Sequence, residues 1–339
     1  MSGSAVCGAN SITREMPWFR PMSQSIVLHR NNVLETGFSI GICAADSAAN
    51  LDRLLALIES ESYPTGLMLR KIVLVASGCE PKAMTFAREL ARRDRRFVLV
   101  EEPRRTGKST ALNVIIERVD GQFIVFVNSD ALPERGAISK LLREIVEDSN
   151  VGMISASPLV DGKTGMIGAV SELMWGVHNE CLLRLNENGR NNHCCDELIV
   201  VRSEALHKLP AGTVNDGAYL AGTAYQVGYS IRFSQEARVI IEVPSIFVDL
   251  MRQRRRIVYG HLQIWQSVGE SPRTLESMLV KSPLLSLSIL VKTLSRSPRL
   301  ALALPVALVG EAVSVVLAMW DNLSSSKKHT LWDRVGSRS

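Results

Sequence analysis

Residues 104–133, RRTGKSTALNVIIERVDGQFIVFVNSDALP, decide how this chain folds. A basic glycine turn, Gly107-Lys108, opens a helix. The helix gives way through Gly121 to an apolar strand, which ends on Asn128-Ser129-Asp130 with Pro133 just beyond. Helix starts present free N–H groups to anions, and hard cations take oxygen ligands. A carboxylate at the tip of a buried strand, below a lysine-bearing turn, therefore suits an anion held together with a divalent cation.

Outward from this stretch, apolar strands and amphipathic helices alternate. Strands are predicted at 38–43, 71–75, 97–100 and 123–127, with helices at 46–60, 81–95 and 109–118. The helix at 46–60 rests on Leu51, Leu54, Leu55 and Ile58, one face at the helical period. The continuous apolar run 71–75 fits a strand covered on both faces. This alternation predicts an α/β fold with a doubly wound, mostly parallel sheet. Ligands of such sheets lie at the carboxyl ends of the strands, where Asp46, Ser77 and Asp130 fall. Further on, helices are predicted at 137–147, 168–186, 216–226 and 252–266, and strands at 151–156, 197–202, 231–233 and 237–243.

The chain has 339 residues, 46% hydrophobic and 22% charged, enough for a substantial core. A net charge of +5 does not by itself imply nucleic acid, and 5% aromatic content argues against a base-stacking platform. No nucleic-acid partner is expected. The six cysteines fit reduced thiols in the cytosol, and the polar first 36 residues lack the apolar core of a signal peptide. Residues 300–320, LALALPVALVGEAVSVVLAMW, are about as long as a membrane-spanning helix requires. Pro305, Gly310 and Glu311 interrupt them. A central glutamate costs roughly 2.5–3.5 kcal/mol on insertion scales, so the segment reads as a marginal span or a surface-lying amphipathic helix.

Several motifs have narrower readings. A P-loop needs a glycine five positions before Gly107-Lys108, and Glu102 stands there. His193-Cys194-Cys195 lacks a second Cys/His pair at zinc spacing. Asn215-Asp216-Gly217 places a carboxylate at a helix start, as a cap or as a general base. Gln253-Arg254-Arg255-Arg256 lies on a helix, with Gln253 and Arg256 on one face, as a basic surface or as a clamp for a diphosphate or an acceptor sugar.

Together these residues resemble the inverting family 2 glycosyltransferases of the GT-A fold. The resemblance covers roughly residues 38–266. It rests on Gly107-Lys108, Ala111-Leu112-Asn113, Gly121, the DxD-like Asn128-Ser129-Asp130 with Pro133, Asn215-Asp216 followed by Gly228-Tyr229, and Gln253-Arg254-Arg255-Arg256-Ile257 in place of QxxRW. Trp332-Asp333-Arg334 is similar to the closing residues of membrane-associated members.

The resemblance implies a Rossmann-like nucleotide half (37–133), an acceptor half (134–267) and a membrane-facing helical tail (268–325). A polar extension (1–36) precedes these parts and a short tail (326–339) follows. It implies sugar transfer from a UDP- or GDP-linked donor to a glycan or to a polyprenyl- or other lipid-linked acceptor, at the cytoplasmic face of the membrane. Asp216 is then the catalytic base. Asp46, Ser77, Lys108, Asn113, Asn128 and Asp130 hold the nucleotide-sugar, with Asp130 carrying Mg or Mn. Gln253, Arg254 and Arg256 hold the diphosphate or the acceptor. The chain departs from the family pattern at Ala45, Asp46 and Ser47, along 75–80, and at Asn128, Gly217 and Ile257. A neutral Asn128 leaves the triplet one acid short. These departures motivate an alternative, a glycosyltransferase-like binding or scaffold subunit without turnover.

Overall fold

The computed structural model describes residues 36–45, 50–162, 165–324 and 329, which fall in one compact unit. Asp46, Ser47, the extension before residue 36 and Trp332-Asp333-Arg334 lie outside the described residues.

The first half runs β1 (Thr36–Ala45), α1 (Leu51–Ser60), β2 (Leu67–Ser77), α2 (Thr85–Arg93), β3 (Phe97–Glu102), α3 (Lys108–Ile116) and β4 (Phe123–Asn128). The second half runs β5 (Ala131–Pro133), α4 (Ala137–Glu147), β6 (Val151–Val160), α5 (Gly165–Glu187), β7 (Leu198–Arg202), α6 (Asp216–Gln226), β8 (Ser230–Ile241) and α7 (Phe247–Val268). The eight strands form one sheet in the order β3-β2-β1-β4-β7-β6-β8-β5. The first four are mutually parallel. Then β7 runs antiparallel to both β4 and β6, β8 runs parallel to β6, and β5 antiparallel to β8.

Sequence order reverses at β1, which pairs with β2 on one side and β4 on the other. Helices flank opposite faces there. The predicted stripe Leu51, Leu54, Leu55 and Ile58 of α1 is buried on one face of the sheet, and Ala111, Leu112 and Ile115 of α3 on the other. Full burial of a side chain of this size contributes about 1.5–3 kcal/mol. These contacts hold open the crevice beyond the carboxyl ends of β1 and β4, where a doubly wound sheet binds its ligand.

Two expectations change. The strands read at 231–233 and 237–243 are one strand, β8, whose pairing with β6 jumps from Ser155↔Phe233 to Ser157↔Arg238. The bulge breaks the alternation of side chains, so the sequence reads as two pieces. The basic helix begins at Phe247, not Arg252: its first turn, Phe247-Val248-Asp249-Leu250, carries no arginine, and Asp249 pairs with Arg252 one turn on.

The tail comprises α8 (Leu275–Lys281), α9 (Pro283–Arg296), a 3₁₀ turn (Pro298–Ala303) and α10 (Leu304–Leu323). Its apolar residues share a core with Val170, Leu173 and Leu182 of α5 and Leu250 of α7. The stretch Pro298–Leu323 is long and apolar enough to cross a membrane. Its central acid is paired, however. Arg254 of α7 grips both oxygens of Glu311, at 2.8 and 2.9 Å, and reaches Glu276 of α8 at 2.9 Å. Arg255 holds Asp321 at the far end of α10. On α5, buried Glu180 binds Lys292 and Arg296 of α9.

Removing one member of such a pair leaves the other charged and largely out of water. Glu311→Ala is expected to lower stability by about 3 kcal/mol in urea unfolding followed by circular dichroism. Replacing Arg254 and Glu311 together with leucine, with Glu276→Gln to remove the acid that Arg254 also pairs, is expected to cost less.

Candidate active site

Lys108 is the first residue of α3, at the mouth of the crevice. Its Nζ lies 2.6 Å from Asp196 Oδ2 and 2.9 Å from Asp216 Oδ2. The side chain of Asp216 is 8% exposed and that of Asp196 31%. Burial works against the lysine's charge, but the two carboxylates outweigh it and hold its pKa well above the usual lysine range. Burial raises the pKa of Asp216, which Lys108 only partly offsets. At Asp196 the balance reverses: against burial, the charge and hydrogen bond of Lys108 hold the carboxyl below its ordinary range. The more exposed acid is thus the more firmly ionised.

Three local features place these groups. Asn215, not Asp216, caps α6: its Oδ1 accepts from the N–H of Ala218 at 3.0 Å, which leaves the Asp216 carboxylate for Lys108. Helix α7 closes on this turn at Gly260, where a Cβ would meet Asn215 Cβ at 2.6 Å. Gln263 fixes the preceding loop through Val214 N at 2.9 Å and Gly212 O at 3.1 Å. Arg256 donates to Val214 O at 3.2 Å, and its charge bears on both Asp216 and Asp196.

Asp196 and Glu197 were not anticipated as site residues. They precede β7, and because β7 runs antiparallel to β4, with Val127↔Leu198 in register, its first residues lie beside the last residues of β4. Asn128 donates from Nδ2 to Glu197 Oε2 at 2.8 Å, and its N–H donates to Glu197 O at 3.1 Å. Burial, then the charges of Asp196 and Asp130, push Glu197 up to about 8. An aspartate at 128 would face this carboxylate directly. Gly217 repeats the pattern: a Cβ there would meet Asp196 Cβ at 2.5 Å. At both positions where an acid is missing from the linear motif, the neighbouring space holds an acid from the start of β7. The signal in the sequence is the pair Asp196-Glu197 immediately before LIVV; what it lacked was the strand direction.

The remaining candidates divide. Asp130 is exposed just past β4, and Lys108, Glu242 and Asp196 all bear on its ionisation. Lys108, Asn128, Asp196 and Asp216 line one small recess beside Cys43. Gln253 lines a larger cavity together with Asp196. Three residues are engaged elsewhere. Ser77 donates its hydroxyl to Glu102 Oε2, which also accepts from Thr106 at 2.8 Å, so Glu102 organises the turn before Lys108. Asn113 spends both ends of its amide on the backbone of Leu209, at 2.8 Å each. Arg254 faces the tail. Among the described residues no group of three or more His, Cys, Asp or Glu is arranged to hold a metal ion.

Residues 39–209 match glycosyl transferase family 2. The chain belongs to this family. A poly-beta-1,6-N-acetyl-D-glucosamine synthase of Staphylococcus epidermidis strain RP62A is 18% identical over 246 residues, which cover 71% of this chain and 58% of that protein. The chain therefore spans less than two thirds of that relative's length. The mannosyltransferase PcManGT of Pyrobaculum calidifontis, solved in complex with GDP-Man and Mn2+, shares the fold with a TM-score of 0.58 and 18% identity, over 87% of this chain and 89% of that one. The family member thus has the GT-A architecture, with an apolar helical tail.

Lys108→Met tests the cluster directly. Without the ammonium, the folded pKa values of both aspartates are expected to rise above the unfolded value of about 3.9. A group raised in the folded state loses stability as pH rises, so the variant is expected to be most stable near pH 4 and to weaken toward pH 8. The parent chain, with Asp196 depressed by Lys108, gains from that residue above its unfolded pKa and loses the gain on acidification. Unfolding titrations across this range check both signs.

Proposed function

We propose that the chain transfers a sugar, with inversion, from a nucleoside diphosphate donor to an acceptor hydroxyl, and that Asp196 is the general base. The observation that carries this reading is the pair Asp196-Glu197, which brings acids to the places left by Gly217 and Asn128. Asp196 is the more exposed and more acidic of the two lysine-bound carboxylates, and it alone of the two lines the large cavity. It accepts the acceptor's proton as the oxygen attacks the anomeric carbon and the bond to the diphosphate breaks on the opposite face. Asp216 is a positioning residue, fixing Lys108. Arg256 adds positive charge on the same side, as a departing diphosphate requires.

A cation carried on a diphosphate needs only one or two protein carboxylates; Asp130 would hold it, and Glu197, behind Asn128, would join it on losing its proton. When bound, Mg or Mn offsets the leaving group's charge. The neighbour's GDP-Man and Mn2+ make a GDP-linked sugar with manganese the first donor and cation to try. We place the protein against a membrane through α9 and α10, at the cytoplasmic face where nucleotide-sugars are made. The halves 37–133 and 134–267 serve donor and acceptor.

Asp196→Asn is expected to lower kcat by about 10²–10⁴-fold with donor KM changed less than about threefold. Asp130→Ala is expected to lose the metal-dependent part of the rate. A fully active Asp196→Asn with an inactive Asp216→Asn reverses the assignment. The pairing of both aspartates with Lys108 also suits a second reading, a binding subunit that keeps the fold without turnover. Metal-dependent nucleotide binding by calorimetry, with no nucleotide released from any donor, is its expected signature.

A further inference from the structure

A cavity of about 290 Å³ lies between α5, α7 and the tail helices α8, α9 and α10. One end is polar, with Asp196, Asn215 and Gln253 in its wall. The rest is dominated by aliphatic side chains, among them Leu279, Leu287, Leu290 and Leu308. At about 30 Å³ for each water-sized group, it holds roughly ten such groups.

The polar end contains an unusual set of unpartnered atoms. His178 of α5, His193 of the loop before β7 and His261 of α7 stand edge to face, with ring centroids 5.6 and 5.1 Å apart. His178 Nε2, His193 Nδ1 and His261 Nε2 are buried without a hydrogen-bond partner among the described residues, as is Ser171 Oγ, about two turns before His178 on α5. His193 is 4% exposed and Ser171 2%. Each such atom has lost its water without gaining a partner, which is unfavourable. The three histidine nitrogens, in the lining of one cavity, are explained by a guest that bonds to them, and a hydroxyl, donating once and accepting twice, can reach all three.

The other end leads outward. Leu279, Leu287 and Leu308 line the cavity, yet each is more than half exposed. They continue into Leu284, Leu302 and Val309, which are more exposed still. An aliphatic chain leaving the cavity by this route stays on apolar surface.

Charge narrows the guest further. The cations in the wall are committed: Arg254 to Glu276 and Glu311, Arg273 to the carbonyl of Arg190 and the ring of Tyr225. Burial holds the three imidazoles neutral, at about 3 for His178 and His261 and about 4 for His193. Asp196, Glu276 and Glu311 are in the same wall. A phosphate headgroup would meet acids and neutral rings. A free glycan would press many hydroxyls against leucine. A single hydroxyl, both donor and acceptor, satisfies an imidazole nitrogen in either tautomer.

We propose that this cavity is the acceptor site and takes an uncharged lipid alcohol: a glycerolipid whose one free hydroxyl lies among the histidines beside Asp196 and whose acyl chains leave between α8, α9 and α10. The proposal rests on the glycosyltransferase reading for the word acceptor, while the lipid site itself does not.

Native mass spectrometry of the full chain released from detergent micelles tests it without any donor present. With 1,2-dioleoylglycerol added, one lipid per chain is expected to be retained. The 3-O-methyl ether, which cannot donate, is expected to be retained at least tenfold more weakly. Leu287→Trp, which fills the aliphatic part from a half-exposed helix position, is expected to lower retention of dioleoylglycerol by a similar factor; the ether comparison stands even where that variant folds poorly. Preferential retention of undecaprenyl phosphate overturns the proposal. So does equal retention of the ether, or no retention of dioleoylglycerol, which leaves a cavity filled by water. Nucleotide release from donor, assayed separately, judges the glycosyltransferase reading: lipid retained without release on any donor counts against that reading and not against the lipid site.

Discussion

One ammonium group between two carboxylates organises this molecule. Lys108 starts α3, Asp216 starts α6 and Asp196 precedes β7, so three segments distant in sequence meet at a single nitrogen. Without the lysine the two acids would not both remain ionised so far from water. With it, the crevice beyond β1 and β4 keeps a concentrated set of charges whose ionisation differs from one carboxylate to the next. Asp196 is depressed, whereas Asp216 and Glu197 are raised. Carboxylates whose environments push them apart suit different tasks in proton transfer, and this difference is the physical basis of the roles proposed for them.

The fold was legible in the sequence wherever a segment buries a periodic face. The stripe on α1, the apolar runs of β2 and β4 and the amphipathic α4 each needed only local pattern, and α4 and α6 run between the expected residues. Legibility failed where structure depends on pairing between distant segments. The bulge in β8 broke the strand pattern, and the direction of β7 left no trace in its composition. That direction is what carries Asp196 and Glu197 to the site. Lys108, Asn128 and Asp216, which line one recess, could be singled out because they sit at element ends that motifs mark. Ser77 ends β2, whereas Asn113 and Arg254 lie inside α3 and α7, and Glu102, the Leu209 backbone and Glu311 engage their polar atoms. Side-chain chemistry proposes such residues; only the neighbours decide what each is free to do.

The arginine-rich helix α7 shows the same division within four residues. Arg256 faces the charged cluster, whereas Arg254 and Arg255 face α10 and neutralise the two acids that interrupt its apolar character. Consecutive residues on a helix point about 100° apart, so one short basic run serves both the site and the tail. The glutamate that made the apolar segment a marginal span is therefore a docking point. Its charge is met by protein, and the exposed face of α10 stays largely apolar.

The central claim is that acids missing from the linear motifs are supplied across space, and a double-mutant cycle at Asn128 and Glu197 addresses it most directly. Asn128→Asp alone places two carboxylates in contact, and Glu197→Gln alone removes the acid. Manganese-dependent nucleotide release is expected to fall in each single variant and to recover in the Asn128→Asp, Glu197→Gln double, which moves the charge from one strand to the other. Losses that simply add in the double variant would contradict the account.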